Sequence, residues 1–234
     1  MSYRLARDSD DPDAAALASL RLAGLAELRD QPAEAVRRYA DVAALRHPVT
    51  SPPAVLWLAR RAFQNGDRPA ARALAHEVVD SGDGRLIPDA WGLLAILAWH
   101  DEDREGAVAA MRLAVDTAGQ WHWSFSRSLG EMLAACGDPA GAADAYRELL
   151  NQPLLTGADA DRYVQLMAIA GRVDEAAAVL ERHAADGEPL TGDLLLALAS
   201  AHAARDDLEA TRETLAVFAP TGARCCRRYR CGPT

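Results

Sequence analysis

The apolar residues of the chain recur at the three- and four-residue spacing of α-helices, and short polar turns interrupt them at regular intervals. In the stretch "ACGDPAGAADAY", a Gly-Asp-Pro turn precedes Ala142, and Tyr146 follows one helical turn later. An alanine in this position recurs at separations of 36, 36, 35, 34 and 34 residues. The six alanines are Ala35, Ala71, Ala107, Ala142, Ala176 and Ala210. This period predicts six successive helix pairs.

Each predicted pair has apolar residues of characteristic size at fixed distances from its alanine. Twelve residues earlier, the first four pairs carry a small residue: Ala23, Ala59, Ala95 and Gly130. Four residues later, most pairs carry a bulkier one, such as Tyr39, Met111, Tyr146 and Leu180. Residues four apart share a helix face, so this combination predicts two helices that approach closely. The last two pairs depart from the pattern, because Val164 and Leu198 occupy the small position.

The pattern resembles the tetratricopeptide repeat (TPR), in which Trp-x2-Leu-Gly-x2-Tyr is followed by Ala-x3-Phe and Pro. The third pair carries Trp91, Leu94, Ala95, Ala98, Ala107 and Met111 at these positions. The fourth carries Ser126, Leu129, Gly130, Leu133, Ala142 and Tyr146. The resemblance implies an all-α, right-handed superhelical solenoid of about six TPR-like helix hairpins. Sel1-like or other helical-pair repeats are alternative names for the same architecture.

Three segments follow from this assignment. Residues 1–13 form a flexible leader, residues 14–222 form the repeat array, and residues 223–234 form an Arg/Cys-rich tail that we expect to be disordered. The tail places Cys225, Cys226 and Cys231 among arginines, which favours reactive thiols, but Cys-Cys-x4-Cys is not a zinc-binding spacing. Arg, Cys, Gly and Pro are also what a GC-rich gene yields when it is read out of frame. We therefore expect the tail to be dispensable.

Composition narrows the function classes. A net charge of −9 disfavours a nucleic-acid surface, which needs clustered basic residues. The chain contains no lysine, so no P-loop can form, and it has no His-Glu-x-x-His or Gly-x-Ser-x-Gly motif. We therefore expect a protein that is not an enzyme and that uses no cofactor or metal. No apolar stretch is long enough to span a membrane, and residues 1–13 have no signal-peptide core, so we expect a cytoplasmic protein.

The resemblance also implies a binding surface. In TPR proteins the first helix of each hairpin lines the concave face and usually supplies the ligand contacts. In the register of this chain, the polar residues implied to contact a partner are Arg60, Gln64, His100, Arg127, Glu131 and Gln165. The groove lacks the paired basic residues and Asn of a carboxylate clamp, because Arg60 and Arg127 lie two hairpins apart. An apolar groove with a few charges suits an extended segment or a partner helix.

The sequence thus favours a scaffold or adaptor that holds a peptide or partner protein in the concave groove, without nucleic acid or membrane as a partner. Two alternatives stay open. The repeats could be a sensor arm or fragment of a larger regulator or enzyme, or the protein could be a carrier whose Cys-rich tail is modified or binds metal. Self-association also stays open.

Overall fold

The computed structural model describes residues 10–119, 123–150, 157–185 and 192–216. These residues form twelve α-helices and contain no β-strand. The helices are α1 (Pro12–Leu28), α2 (Pro32–Ala44), α3 (Ser51–Gln64), α4 (Arg68–Asp80), α5 (Ile87–His100), α6 (Arg104–Thr117), α7 (Trp123–Ala135), α8 (Pro139–Arg147), α9 (Gly157–Ile169), α10 (Val173–Ala185), α11 (Gly192–Ala204) and α12 (Leu208–Leu215). The all-α class predicted from the sequence is confirmed.

The helices pair in chain order as six hairpins, which belong to two compact units. The first unit, residues 1–122, contains α1 to α6, and the second, residues 123–234, contains α7 to α12. Within each unit, successive hairpins pack against each other. The first helix begins at Pro12, so the last two residues of the expected leader are helical. The rest of that leader through residue 9 and the Arg/Cys-rich tail lie outside the described residues.

The polar turns start the second helix of most hairpins through side-chain caps. The carboxylate of Asp67 accepts a hydrogen bond from the backbone N–H of Ala70 at 3.1 Å. Asp103, Asp138 and Asp207 cap the corresponding helices in the same way, at 2.9, 2.8 and 3.0 Å. An aspartate at this position pairs with one of the N–H groups that the first helical turn leaves without a partner. At these four turns the recurring Asp of the sequence therefore sets where the second helix begins.

The recurring alanines lie where the two helices of a hairpin meet. Five of the six are fully buried, and Ala210 is 6% exposed. At Gly130 the approach is closer still, because a Cβ there would lie 2.6 Å from the Tyr146 ring. In the last two hairpins the larger Val164 and Leu198 are also buried. The fold thus accepts a larger side chain at the small position.

Candidate functional site

The first unit contains an open cleft of 590 Å³ between α1, α3 and the start of α5. Its apolar lining consists of Leu20, Gly24, Leu25, Leu28, Tyr39, Pro53, Leu56, Trp57 and Leu86. Its charged lining consists of Arg21, Glu27, Arg60 and Asp89. Leu28 is 84% exposed, the largest exposed fraction among the large apolar residues that the structure describes. The cleft therefore combines an apolar wall with charges of both signs.

An aromatic pair forms part of this cleft. The rings of Tyr39 and Trp57 stack at a centroid distance of 4.1 Å with an angle of 18° between their planes. The Tyr39 hydroxyl donates a hydrogen bond to Glu27 at 3.2 Å. Burial, and then the neighbouring Glu27 carboxylate, raises the pKa of Tyr39 to about 12. Tyr39 therefore stays neutral and holds the Trp57 ring in place beside the cleft.

Two of the predicted contact residues lie at this cleft or beside it. Arg60 lines the cleft and forms an ion pair with Asp89 on α5 at 2.8 Å. Gln64 lines an adjoining cleft of 250 Å³ together with Arg60 and Trp57. The Gln64 side-chain oxygen accepts a hydrogen bond from Arg61 at 3.3 Å. The structure thus brings Arg60 and Gln64 together on one surface.

His100, the third predicted residue of the first unit, lies at the end of α5. Its ring is 5.5 Å from the ring of Phe63, and its backbone carbonyl accepts a long hydrogen bond from Arg68 at 3.5 Å. It does not line either of the two clefts described above. His100 is exposed and therefore accessible on the end of the third hairpin.

In the second unit, Arg127 on α7 binds Asp159 on α9. The Arg127 Nε and Nη2 atoms each lie 2.7 Å from a carboxylate oxygen of Asp159, whose side chain is 6% exposed. These hydrogen bonds raise the pKa of the Arg127 guanidinium further. Such a two-point pair orients both side chains. The predicted contact residue Arg127 thus joins the first helices of two adjacent hairpins.

Glu131, one turn further along α7, is bound in a similar manner. Its carboxylate accepts a hydrogen bond from the Tyr146 hydroxyl and two from Arg162 on α9, both at 3.2 Å. Burial raises the pKa of Glu131, but the hydrogen bonds from Tyr146 and Arg162 outweigh it and lower the pKa below its usual value. Gln165, the last predicted residue, is exposed on α9.

Three predicted contact residues therefore already bind a neighbouring hairpin, and sequence reasoning missed their partners Asp89, Asp159 and Arg162. A signal for them does exist in the sequence. The members of the Arg127–Asp159 and Glu131–Arg162 pairs are 32 and 31 residues apart, two and three residues less than the 34-residue spacing between Ala142 and Ala176 of the same two hairpins. Opposite charges at that separation on successive first helices face each other across the hairpin boundary.

Among the residues that the structure describes, no cluster of three or more His, Cys, Asp or Glu side chains is arranged to hold a metal ion. Within the same residues, every helix is too short or too polar to cross a membrane. Cys136 is an exposed free thiol in the turn between α7 and α8. The three tail cysteines lie outside the described residues.

Comparison with known proteins gives matches of two kinds. Residues 57–120 match the tetratricopeptide repeat family. Among solved structures, PilF of Pseudomonas aeruginosa aligns with a TM-score of 0.55 and 15% identity over 95% of this chain and 96% of that one. MamA aligns with a TM-score of 0.54 and 15% identity over 75% and 97%. No curated protein sequence matches the chain.

A structure of Naa15/Naa10 bound to HypK-THB also aligns, with a TM-score of 0.58 and 17% identity over 86% of this chain. The alignment spans only 31% of that longer chain. Because these sequence identities are low, the structural matches establish the fold alone. The family match adds that residues 57–120 are similar to tetratricopeptide repeats. The protein therefore contains tetratricopeptide repeats, identified over residues 57–120, and its other described hairpins share their fold.

Proposed function

We propose that the protein is a binding scaffold and that the 590 Å³ cleft of the first unit holds an apolar segment of a partner protein. The observation that carries the proposal is the strongly exposed Leu28 beside the stacked Tyr39–Trp57 pair. Burying a leucine side chain contributes roughly 1.5–3 kcal/mol, and aromatic side chains often dominate binding energy. A partner helix or extended segment that covers this wall gains both contributions.

The Arg60 and Asp89 side chains at the cleft can each give up their ion pair and bind a partner instead. The Arg60 and Asp89 side chains are 52% and 43% exposed, and an exposed ion pair contributes only about 0–1 kcal/mol. Either side chain can therefore turn to a partner at little cost. We include Arg60 and Gln64 in the proposed contact surface, because they lie on adjoining clefts.

In the second unit, Arg127 cannot leave its ion pair for a partner as easily as Arg60 can. Moving this guanidinium to a ligand would take from the buried carboxylate of Asp159 the ion pair and both hydrogen bonds that Arg127 supplies, which is costly. We therefore propose that Arg127 and Glu131 position α7 against α9. His100 and Gln165 are exposed and remain proposed contacts.

A peptide-selection experiment tests the proposed cleft. The full chain is used to select peptides from a random phage-displayed library, and fluorescence anisotropy then measures the affinity of each synthetic peptide. We expect Leu28→Arg to weaken the selected apolar peptides by at least about tenfold, because it places a charge in the apolar wall. The matched control is Leu208→Arg, since Leu208 is also strongly exposed, at 72%, and lies in the second unit. Circular dichroism verifies that both variants keep their helix content.

Two results would contradict the proposal. One is equal affinity of the selected peptides for Leu28→Arg and the unchanged protein. The other is a failure to select any apolar peptide from several libraries.

The cytoplasmic location expected from the sequence stays a prediction, which fractionation of native cells with a specific antibody tests.

A further inference from the structure

A third cleft, of 880 Å³, lies on a different side of α1 from the proposed peptide site. Residues of α1, α2 and the turn between them form its entire lining. The apolar floor consists of Leu22, Leu25, Ala26, Pro32 and Ala33. We call this surface the first-hairpin edge. It shares only Leu25 with the cleft that holds the proposed peptide.

The repeat register shows what this edge is shaped to contact. Leu22 and Leu25 lie thirteen and ten residues before Ala35. In the third hairpin, Leu94 and Leu97 occupy the same two positions and are 6% and 0% exposed.

The fifth hairpin shows the same burial, where Tyr163 and Leu166 are 0% and 2% exposed. Both of these hairpins follow another hairpin of their own unit. Leu22 and Leu25, in contrast, are only half-buried.

Leu129 and Ala197, thirteen residues before the fourth and sixth alanines, are buried as well, at 8% and 0% exposed, whereas Leu58 of the second hairpin is half-buried like Leu22. This position is thus buried in four of the six described hairpins, so the edge has the form of a surface that packs against a helix.

The charged residues around the edge indicate which charge a partner helix would carry. Arg29, Arg37 and Arg38 line the cleft, with Glu34 as its one acidic residue. Glu34 pairs with both Arg37 and Arg38, and the Arg37 side chain is still 75% exposed. Within the described part of the chain, Arg29 has no acidic partner. The edge is thus basic in a chain whose net charge is −9.

This charge pattern disfavours a symmetric contact between two copies through the same edge. Such a contact would bring the arginines of both copies together, and like charges at an interface are unfavourable. A partner with acidic side chains beside its apolar stripe complements the edge instead. We propose that the first-hairpin edge docks an acidic amphipathic helix of a partner protein, with its apolar stripe on Leu22 and Leu25 and its carboxylates at Arg29 and Arg37.

Two synthetic helices test this proposal on the full chain. The first probe spans about four turns, with leucine along one face and glutamate elsewhere, and the second replaces every glutamate with arginine. Fluorescence anisotropy at low salt measures both affinities. We expect the acidic probe to bind at least about tenfold more tightly than the basic probe, and added salt to weaken it.

Variants locate the contact. The double change Arg29→Glu and Arg37→Glu is expected to weaken the acidic probe by at least about tenfold while helix content stays the same. The matched control is Arg112→Glu with Arg182→Glu, because both arginines are exposed on other hairpins. Leu28→Arg serves as a second control. It removes the proposed peptide site but is expected to leave the acidic probe bound, so the two proposals can fail separately.

Several outcomes would overturn the inference. Absence of binding by the acidic probe, or binding that Arg29→Glu with Arg37→Glu does not change, excludes the edge as its site. A dimer in light scattering that this double variant abolishes would make a second copy the occupant. Binding that appears only after deletion of residues 2–9 would make that segment the occupant. Variant-sensitive binding to anionic lipid vesicles, without binding of the helix, would indicate a membrane surface.

Discussion

Arg127 on α7 and Asp159 on α9 form a two-point ion pair, with the Nε and Nη2 atoms each 2.7 Å from a carboxylate oxygen. The two residues belong to consecutive hairpins of the second unit. Because the Asp159 side chain is only 6% exposed, the carboxylate depends on this partner more than a surface residue would. The pair therefore has a role in the packing of α7 against α9.

The first prediction concerns this pair. We expect Arg127→Ala to lower the free energy of unfolding by about 2 kcal/mol, because it leaves a buried carboxylate without its guanidinium. Urea unfolding followed by circular dichroism measures the change. Arg60→Ala is the control and is expected to cost less than about 1 kcal/mol, since the Arg60–Asp89 pair is exposed. Equal losses for the two variants would contradict the structural role of Arg127.

The second prediction concerns the pH dependence of stability at Glu131. Its pKa is lowered in the folded protein, so the ionised form stabilises the fold above the usual value of 4.5. That contribution is lost as the pH falls from about 4.5 through the lowered pKa of the folded state. Because the side chain is 53% exposed, the effect is modest, on the order of 0.5 kcal/mol.

Glu131→Gln is therefore expected to lose less stability than the unchanged protein between pH 7 and pH 3. Urea unfolding at the two pH values measures this difference. Glu77→Gln removes an exposed carboxylate of the first unit and serves as the control. The same loss of stability in Glu131→Gln and in the unchanged protein would contradict the prediction.

The third prediction concerns the close approach at Gly130. A Cβ added there would lie 2.6 Å from one Tyr146 ring carbon and 3.3 Å from the backbone oxygen of Ala142. The ring cannot move freely, because its hydroxyl binds Glu131. We expect Gly130→Ala to destabilise the protein by about 1–3 kcal/mol through overpacking.

Thermal unfolding of Gly130→Ala measures this cost. The control is Gly84→Ala, because a Cβ at Gly84 has no atom within 4 Å. The double variant Gly130→Ala with Tyr146→Leu should lose less stability than the sum of the losses in the two single variants. The reason is that the smaller side chain at position 146 leaves room for the added methyl group. No change in the melting temperature of Gly130→Ala would show that the hairpin relaxes at this point.

The fourth prediction concerns the aspartate caps. The Asp103 carboxylate accepts the backbone N–H of Gly106 at 2.9 Å. We expect Asp103→Ala to lower the free energy of unfolding by about 1 kcal/mol, because α6 then loses a cap on its first turn. Asp103→Asn, which keeps an acceptor oxygen, should retain most of the stability. A similar loss in both variants of this residue would contradict the capping role.

The fifth prediction rests on the sequence, because the tail lies outside the described residues. Deletion of residues 223–234 is expected to change neither the melting temperature nor the affinity for peptides selected on the full chain. A stoichiometric metal or covalent group on Cys225, Cys226 or Cys231, detected by mass spectrometry of the native protein, would overturn this expectation.

The sequence by itself determined the number and order of the helix hairpins. The six alanines recur at a fixed period because each hairpin must bury a small residue where its helices meet, and all six are buried. The turn aspartates are equally local, since a cap involves residues only three apart. The buried alanines and the aspartate caps both follow from short-range geometry, so the sequence is enough to predict them.

Only the tertiary structure decided what the groove charges contact. The sequence placed Arg60, Arg127 and Glu131 at groove positions, but not their pairing with Asp89, Asp159 and Arg162. Opposite charges 31 or 32 residues apart indicate candidate pairs, but an ion pair forms only where the two side chains meet within about 4 Å, which the residue spacing alone does not decide. The partial exposure of Leu22 and Leu25 also could not be predicted from the sequence. Equivalent positions are buried in the third and fifth hairpins, but Leu58 of the second hairpin is only half-buried, so the repeat spacing alone does not decide the exposure.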